Sequence, residues 1–151
     1  MSRTLSPPVP RLTVITLGVS DMRKSIEFYE ALGFTRKFRA TGEAVAFFET
    51  GGAVLGLFPW NQLAQDAMLP EHPRPTAFRG ATLAWNCRSP EEVDVVLDFA
   101  VSKGASLIRA AHVTEYGGYS GYFADPDRHP WEVVVAPGIQ IGKDGRVRLP
   151  D

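Results

Sequence analysis

Residues 89–104 read SPEEVDVVLDFAVSKG, and this run carries a start signal, a periodic body and a stop signal in one piece. Ser89 stands as an N-cap, Pro90 occupies the first helical position, where a missing N–H is harmless, and Glu92 completes a capping box. Val93, Val96, Leu97, Ala100 and Val101 then recur at the spacing of a single core-facing stripe. Gly104 supplies the left-handed residue that ends such a helix. The spacing therefore predicts one well-bounded amphipathic helix.

Outward from this helix the order of elements is as informative as the helix itself. Residues 81–87, ATLAWNC, read as a strand before it, and three strand candidates follow near 106–111, 121–124 and 131–136. The same order occurs once before. Residues 11–20, RLTVITLGVS, read as a strand, and SDMRKSIEFYEALGF (20–34) as a helix with Ser20 or Asp21 as N-cap and Gly33 as its stop. Candidate strands at 35–39, 44–49 and 53–58 come next, separated by Gly42 and by Gly51-Gly52.

The chain thus reads as two βαβββ units, 11–60 and 80–137, in an α+β fold. One such unit cannot bury both faces of its sheet alone, which favours two copies sharing a core. Residues 1–10 read as a flexible lead-in, 61–79 as a connector that opens on a short helix, and 138–151 as a tail.

Composition narrows the function classes. With 44% apolar and 22% charged residues, the 151-residue chain is globular in character, and its formal charge of −1 offers no bulk attraction for nucleic acid or an anionic membrane. No apolar run approaches the roughly 20 residues of a membrane-spanning helix. Cys87 is the only cysteine, so neither an intramolecular disulfide nor a thiol-rich metal site is available. A cytoplasmic protein is expected.

Two stretches, LGVSDMRKSIEFYEALGF in the first unit and GYFADPDRHPWEV in the second, resemble the vicinal oxygen chelate superfamily of glyoxalases, bleomycin-resistance proteins and dioxygenases. The resemblance implies a U-shaped, half-open barrel with the helices outside, a cavity within it, and a homodimer. It also implies four metal-ligand positions, which fall here at Val14, Gly56, Thr82 and Glu132. Only Glu132 is a metal ligand of the usual kind, and one carboxylate does not hold a divalent transition metal. The expectation is therefore no metal and no other cofactor. A relocated site from His112 and Glu132 would still lack a third ligand. His72, His112 and His129 read as connector or surface residues, with solvent as the partner of His129.

Strand parity places Thr16, Thr82, Asn86 and Glu132 on the cavity side, while Trp85 and Trp131 face the helices. Trp60, Tyr116, Tyr119 and Tyr122 are candidates for the cavity mouth, with Gly117-Gly118 lending their segment the freedom of a mobile loop. Glu132 is the candidate catalytic residue, as a general base, and equally a candidate acceptor for a ligand N–H or O–H. Two functions follow from this lining. One is a metal-free module of the bleomycin-resistance kind that binds a small organic molecule. The other is a glyoxalase-like lyase, isomerase or dioxygenase relying on a relocated metal or on Glu132.

Overall fold

A computed structural model of the chain describes residues 6–70 and 77–151. Both predicted helices form where their caps place them. Asp21 accepts a hydrogen bond from the Lys24 backbone N–H at 3.1 Å and opens α1 (Met22–Ala31), so Asp21 rather than Ser20 is the cap. Ser89 accepts from the Glu92 N–H at 3.2 Å and opens α3 (Pro90–Ser102). Gly33 and Gly104 follow the two helices at φ +102° and +106°, a conformation that side chains resist.

The first unit folds as β1 (Val14–Val19), α1, β2 (Thr35–Lys37), β3 (Ala46–Glu49) and β4 (Val54–Pro59), with strand order β1-β4-β3-β2. After the short helix α2 (Trp60–Asp66), the second unit folds as β5 (Leu83–Asn86), α3, β6 (Ser106–Val113), β7 (Tyr119–Ala124) and β8 (Pro130–Val135), in order β5-β8-β7-β6. Each sheet joins its first and last strands in parallel and is otherwise antiparallel. The two mixed four-stranded sheets make the α+β fold expected of paired βαβββ units, and they do not close into a barrel. The tail adds a small hairpin of β9 (Gln140–Ile141) and β10 (Val147–Arg148), which Arg88 holds by bonds to the carbonyls of Ile141 and Gly142.

One hydrophobic core unites the units through the helix-facing sides of both sheets. Tyr29 and Phe48 of the first unit and Phe123, Trp131 and Val133 of the second are buried in it. Tyr29 lies 6.0 Å from the Trp131 ring, and Phe34 lies 5.6 Å from Trp85 and 5.7 Å from Trp131. Burial of aromatics on this scale dominates the stabilisation of small domains. Period-2 alternation then leaves the opposite faces, those of Thr16 and of Glu132, outside the core.

A polar joint reinforces the aromatic one. Asp125 and Asp127, both buried, project from the turn between β7 and β8. Asp125 accepts from the Tyr29 hydroxyl at 2.7 Å and from the backbone N–H groups of Asp127 and His129. Asp127 accepts from the Ser20 N–H at 2.9 Å and from the Ser25 hydroxyl at 3.3 Å. His129, expected to face solvent, does not. Its ring lies 6.1 Å from Trp60 in a stacked arrangement, with Nε2 2.8 Å from the Gly18 carbonyl and Nδ1 3.1 Å from Arg79.

Candidate functional site

The register of the second sheet builds the site in rows. On the face opposite the core, Ala84 of β5, Glu132 of β8, Tyr122 of β7 and Arg109 of β6 stand side by side as cross-strand partners. Cross-strand neighbours of this kind lie close enough for side chains to bond. The Tyr122 hydroxyl donates to Glu132 Oε2 at 2.9 Å. Burial first, and then the Glu132 carboxylate, raise the Tyr122 pKa, so the phenol remains the donor of this pair at neutral pH. The next row holds Pro130, Ala124 and Ser106, with Thr82 immediately before β5.

Over these rows lies a cavity of about 610 Å³, walled by Phe78, Ile108 and Pro130 and reached by Thr82, Tyr122, Arg109 and Arg128. That volume suits a small organic molecule, and the mix of apolar walls with a few convergent polar groups is the usual make-up of a ligand pocket. The register of β6 shifts on both sides of Arg109, between Leu107 and Arg109 and again between Arg109 and His112. Such irregularities re-aim side chains next to binding sites. Arg128 takes φ +67°, the left-handed conformation that glycine adopts most readily.

The candidate residues read from the sequence are distributed unevenly around this geometry. Thr82 and Tyr122 line the cavity, and Glu132 stands next to it as the hydrogen-bond and cross-strand partner of Tyr122. Thr16 stands exposed on the other sheet, opposite Gly56 across the β1–β4 pair. Asn86 borders a second cavity of about 1040 Å³ in the seam between the units, under the C-terminal hairpin. Trp60 is at the joint, where it packs on Gly18 and stacks with His129. Tyr119 and Tyr122 are three residues apart on one strand and so face opposite sides, and the Tyr119 hydroxyl donates to Asp94 of α3 at 2.7 Å. Tyr116 is exposed in the hairpin turn 114–118, which is closed by bonds between Thr114 and residues 117 and 118.

The residues at the four implied metal positions do not fit a divalent ion. Val14 and Gly56 contribute no donor atom, and a β-carbon built on Gly56 would lie 3.0 Å from Thr16 Oγ1. Glu132 is engaged by Tyr122. His112 lies half-buried opposite Ser120, one row beyond Glu132, and brings the acid or imidazole groups there to two. Among the described residues no three His, Cys, Asp or Glu side chains gather as a metal site requires.

Arg109 and Arg128, like the apolar walls Phe78, Ile108 and Pro130, are cavity residues that the sequence reading missed. A signal for each arginine was present: a lone arginine within the strand SLIRAAHV (106–113), and an arginine within the polar turn DPDRH (125–129).

Two mixed sheets of βαβββ order, joined back to back with a pocket on the free face of one, define a paired-unit α+β domain. The chain belongs to the glyoxalase/bleomycin resistance protein/dioxygenase superfamily, whose family model matches residues 11–133. Among solved structures, it is similar to a glyoxalase-related enzyme from Fulvimarina pelagi, with 34% identity and a TM-score of 0.82 over 95% of this chain and 100% of the other. A glyoxalase/bleomycin resistance protein/dioxygenase from Nocardioides is 26% identical with a TM-score of 0.72, covering 92% and 93% of the two chains. Lactoylglutathione lyase from Agrobacterium tumefaciens shares the fold at 21% identity and a TM-score of 0.61, over 86% and 96%. Among the described residues no helix is long and apolar enough to cross a membrane.

Proposed function

We infer that the protein binds a small organic molecule in the cavity of the second unit, without a divalent metal, using Tyr122 and Glu132 as the polar floor. The observation that carries this reading is Tyr122, which lines a 610 Å³ space with apolar walls and donates to Glu132 beside it at 2.9 Å. A carboxylate held by one phenol keeps lone pairs available for a donor on a ligand. Chemical-shift mapping on the isotopically labelled chain with a library of small neutral and charged fragments tests this reading. Shifts centred on Thr82, Tyr122 and Glu132 are expected; shifts confined to the seam cavity, or none, would overturn it. Zinc, nickel or manganese added to the purified protein should leave its melting temperature unchanged, and a rise abolished by Glu132→Ala would refute the metal-free part.

The free sheet faces also support a homodimer, in which the first unit of one copy covers the second unit of the other. Val14 on one face and Phe78 and Ile108 on the other are 41%, 73% and 54% exposed. Apolar exposure on both free faces is what a second copy would cover. Light scattering should report twice the chain mass, and a monomer at micromolar concentration would exclude the arrangement.

A second reading keeps the same residues and adds chemistry, with Glu132 as general base toward a proton on the bound molecule. It is favoured by the glyoxalase-related neighbour from Fulvimarina pelagi.

A further inference from the structure

Resting on that pocket, we propose that its ligand is a small organic monoanion with a hydroxyl or amino group beside its carboxylate. Arg109 and Arg128 would take the carboxylate, and Glu132 the neighbouring donor.

Three observations converge on this class of compound. First, the residues lining the cavity include Arg79, Arg109 and Arg128 but no acid, and the carboxylate of Glu132 adjoins the lining only through its bond to Tyr122. Arg79 is committed to the joint, where it bonds the Asp127 carbonyl at 2.8 Å and meets His129. Arg109 and Arg128 pair with no carboxylate among the described residues. Guanidinium groups facing an apolar-walled space are the ordinary means of recognising a planar carboxylate, because their fork matches its two oxygens.

Secondly, the backbone is distorted at both arginines. Arg109 lies between two register shifts, and Arg128 occupies a left-handed turn position where glycine would carry no strain. Register irregularities re-aim side chains beside binding sites, and left-handed residues other than glycine cluster there. Two such distortions at the two unpaired cations of one cavity set this face apart from the first unit, whose β3–β4 register is regular.

Thirdly, Glu132 limits the charge and defines the other end of the ligand. A carboxylate in the same row as Arg109 repels a second negative charge, which disfavours dianions such as phosphate monoesters. It also needs a donor, and a hydroxyl or amine adjacent to the ligand carboxylate would supply one. Phe78 and Ile108 then cover an apolar body.

Calorimetric titration of the full chain tests this with four probes sharing one body: mandelate, methyl mandelate, phenylacetate and phenyl phosphate. Mandelate should bind best, the neutral ester at least tenfold more weakly, phenylacetate several-fold more weakly for want of the hydroxyl, and phenyl phosphate more weakly than mandelate. Arg109→Met should weaken mandelate at least tenfold and leave the ester unchanged. Arg146→Met, on the rim of the seam cavity, should change neither.

Arg128→Gly separates a ligand role from a structural one. It should weaken mandelate several-fold while the melting temperature holds or rises, because the turn is relieved of its strain. A fall in melting temperature with unchanged mandelate affinity would make Arg128 a structural residue and overturn its part. If the ester binds as tightly as mandelate with shifts at Tyr122 and Glu132, the anion proposal fails and the pocket reading stands. If no probe shifts those residues, both fail.

Discussion

Two tyrosine–carboxylate pairs sit within a few residues of each other in this protein, and they have nothing in common except chemistry. Tyr29 donates to Asp125 at 2.7 Å, and Tyr122 donates to Glu132 at 2.9 Å. The first is wholly buried between the units, with both carboxylate oxygens engaged: Asp125 also takes two backbone N–H groups, and the Tyr29 oxygen accepts from Trp131 Nε1 at 3.1 Å. The second is half-buried on a free sheet face, and Glu132 accepts from Tyr122 alone among the described groups. Saturation marks a structural joint. An incompletely engaged pair beside a cavity is what a ligand can complete.

Mutations can break this contrast directly. Asp125→Ala should be the most damaging, destabilising the fold by about 4 kcal/mol, since it strands the Tyr29 hydroxyl and two backbone donors in the core. Urea denaturation measures it. Tyr29→Phe should cost about 2 kcal/mol, because Trp131 Nε1 and Asp125 each lose a buried partner. By contrast, Glu132→Gln and Tyr122→Phe should stay within roughly 0.5 kcal/mol of the parent, as substitutions at solvated sites do. If either cost as much as Tyr29→Phe, the distinction between joint and site would be lost.

The smallest effect is a change of pH dependence. Burial raises the Asp125 pKa above 3.8, with opposing contributions from His129 and the hydrogen bonds to Tyr29 and the backbone. The folded chain therefore binds this proton more tightly than the unfolded chain does. The stability it contributes is full below pH 3.8 and is lost as pH rises through the folded value. The difference in stability between the parent and Asp125→Asn should follow that window. A difference independent of pH between 3 and 7 would show that the carboxyl titrates as it does in the unfolded chain.

Much of the fold was legible because its signals are local. Asp21, Ser89, Gly33 and Gly104 bound the two helices within the chain's own neighbourhood, and strand parity separated Trp131 from Glu132 correctly because alternation is a property of any strand. The joint was not legible. His129 meets Gly18 from 111 residues away, and Asp127 meets Ser20 from 107, so a motif that reads as a polar surface turn is in fact internal. The same limit applies to the cavity. Arg109 reaches the row of Tyr122 only through irregular pairing in β6, and no periodic reading of SLIRAAHV anticipates a shifted register. Trp60 looked like a cavity aromatic from sequence, but its place against Gly18 depends on the chain leaving β4 directly into α2.

The turn from Asp125 to His129 bears on how this protein could be diversified. Asp125, Asp127 and His129 fasten one half of the molecule to the other, while Arg128, in the midst of them, lines the cavity. A library randomised across all five positions would consist mostly of chains that fail to fold. One confined to 128, combined with 109 on the neighbouring strand, would sample new pockets on an intact scaffold.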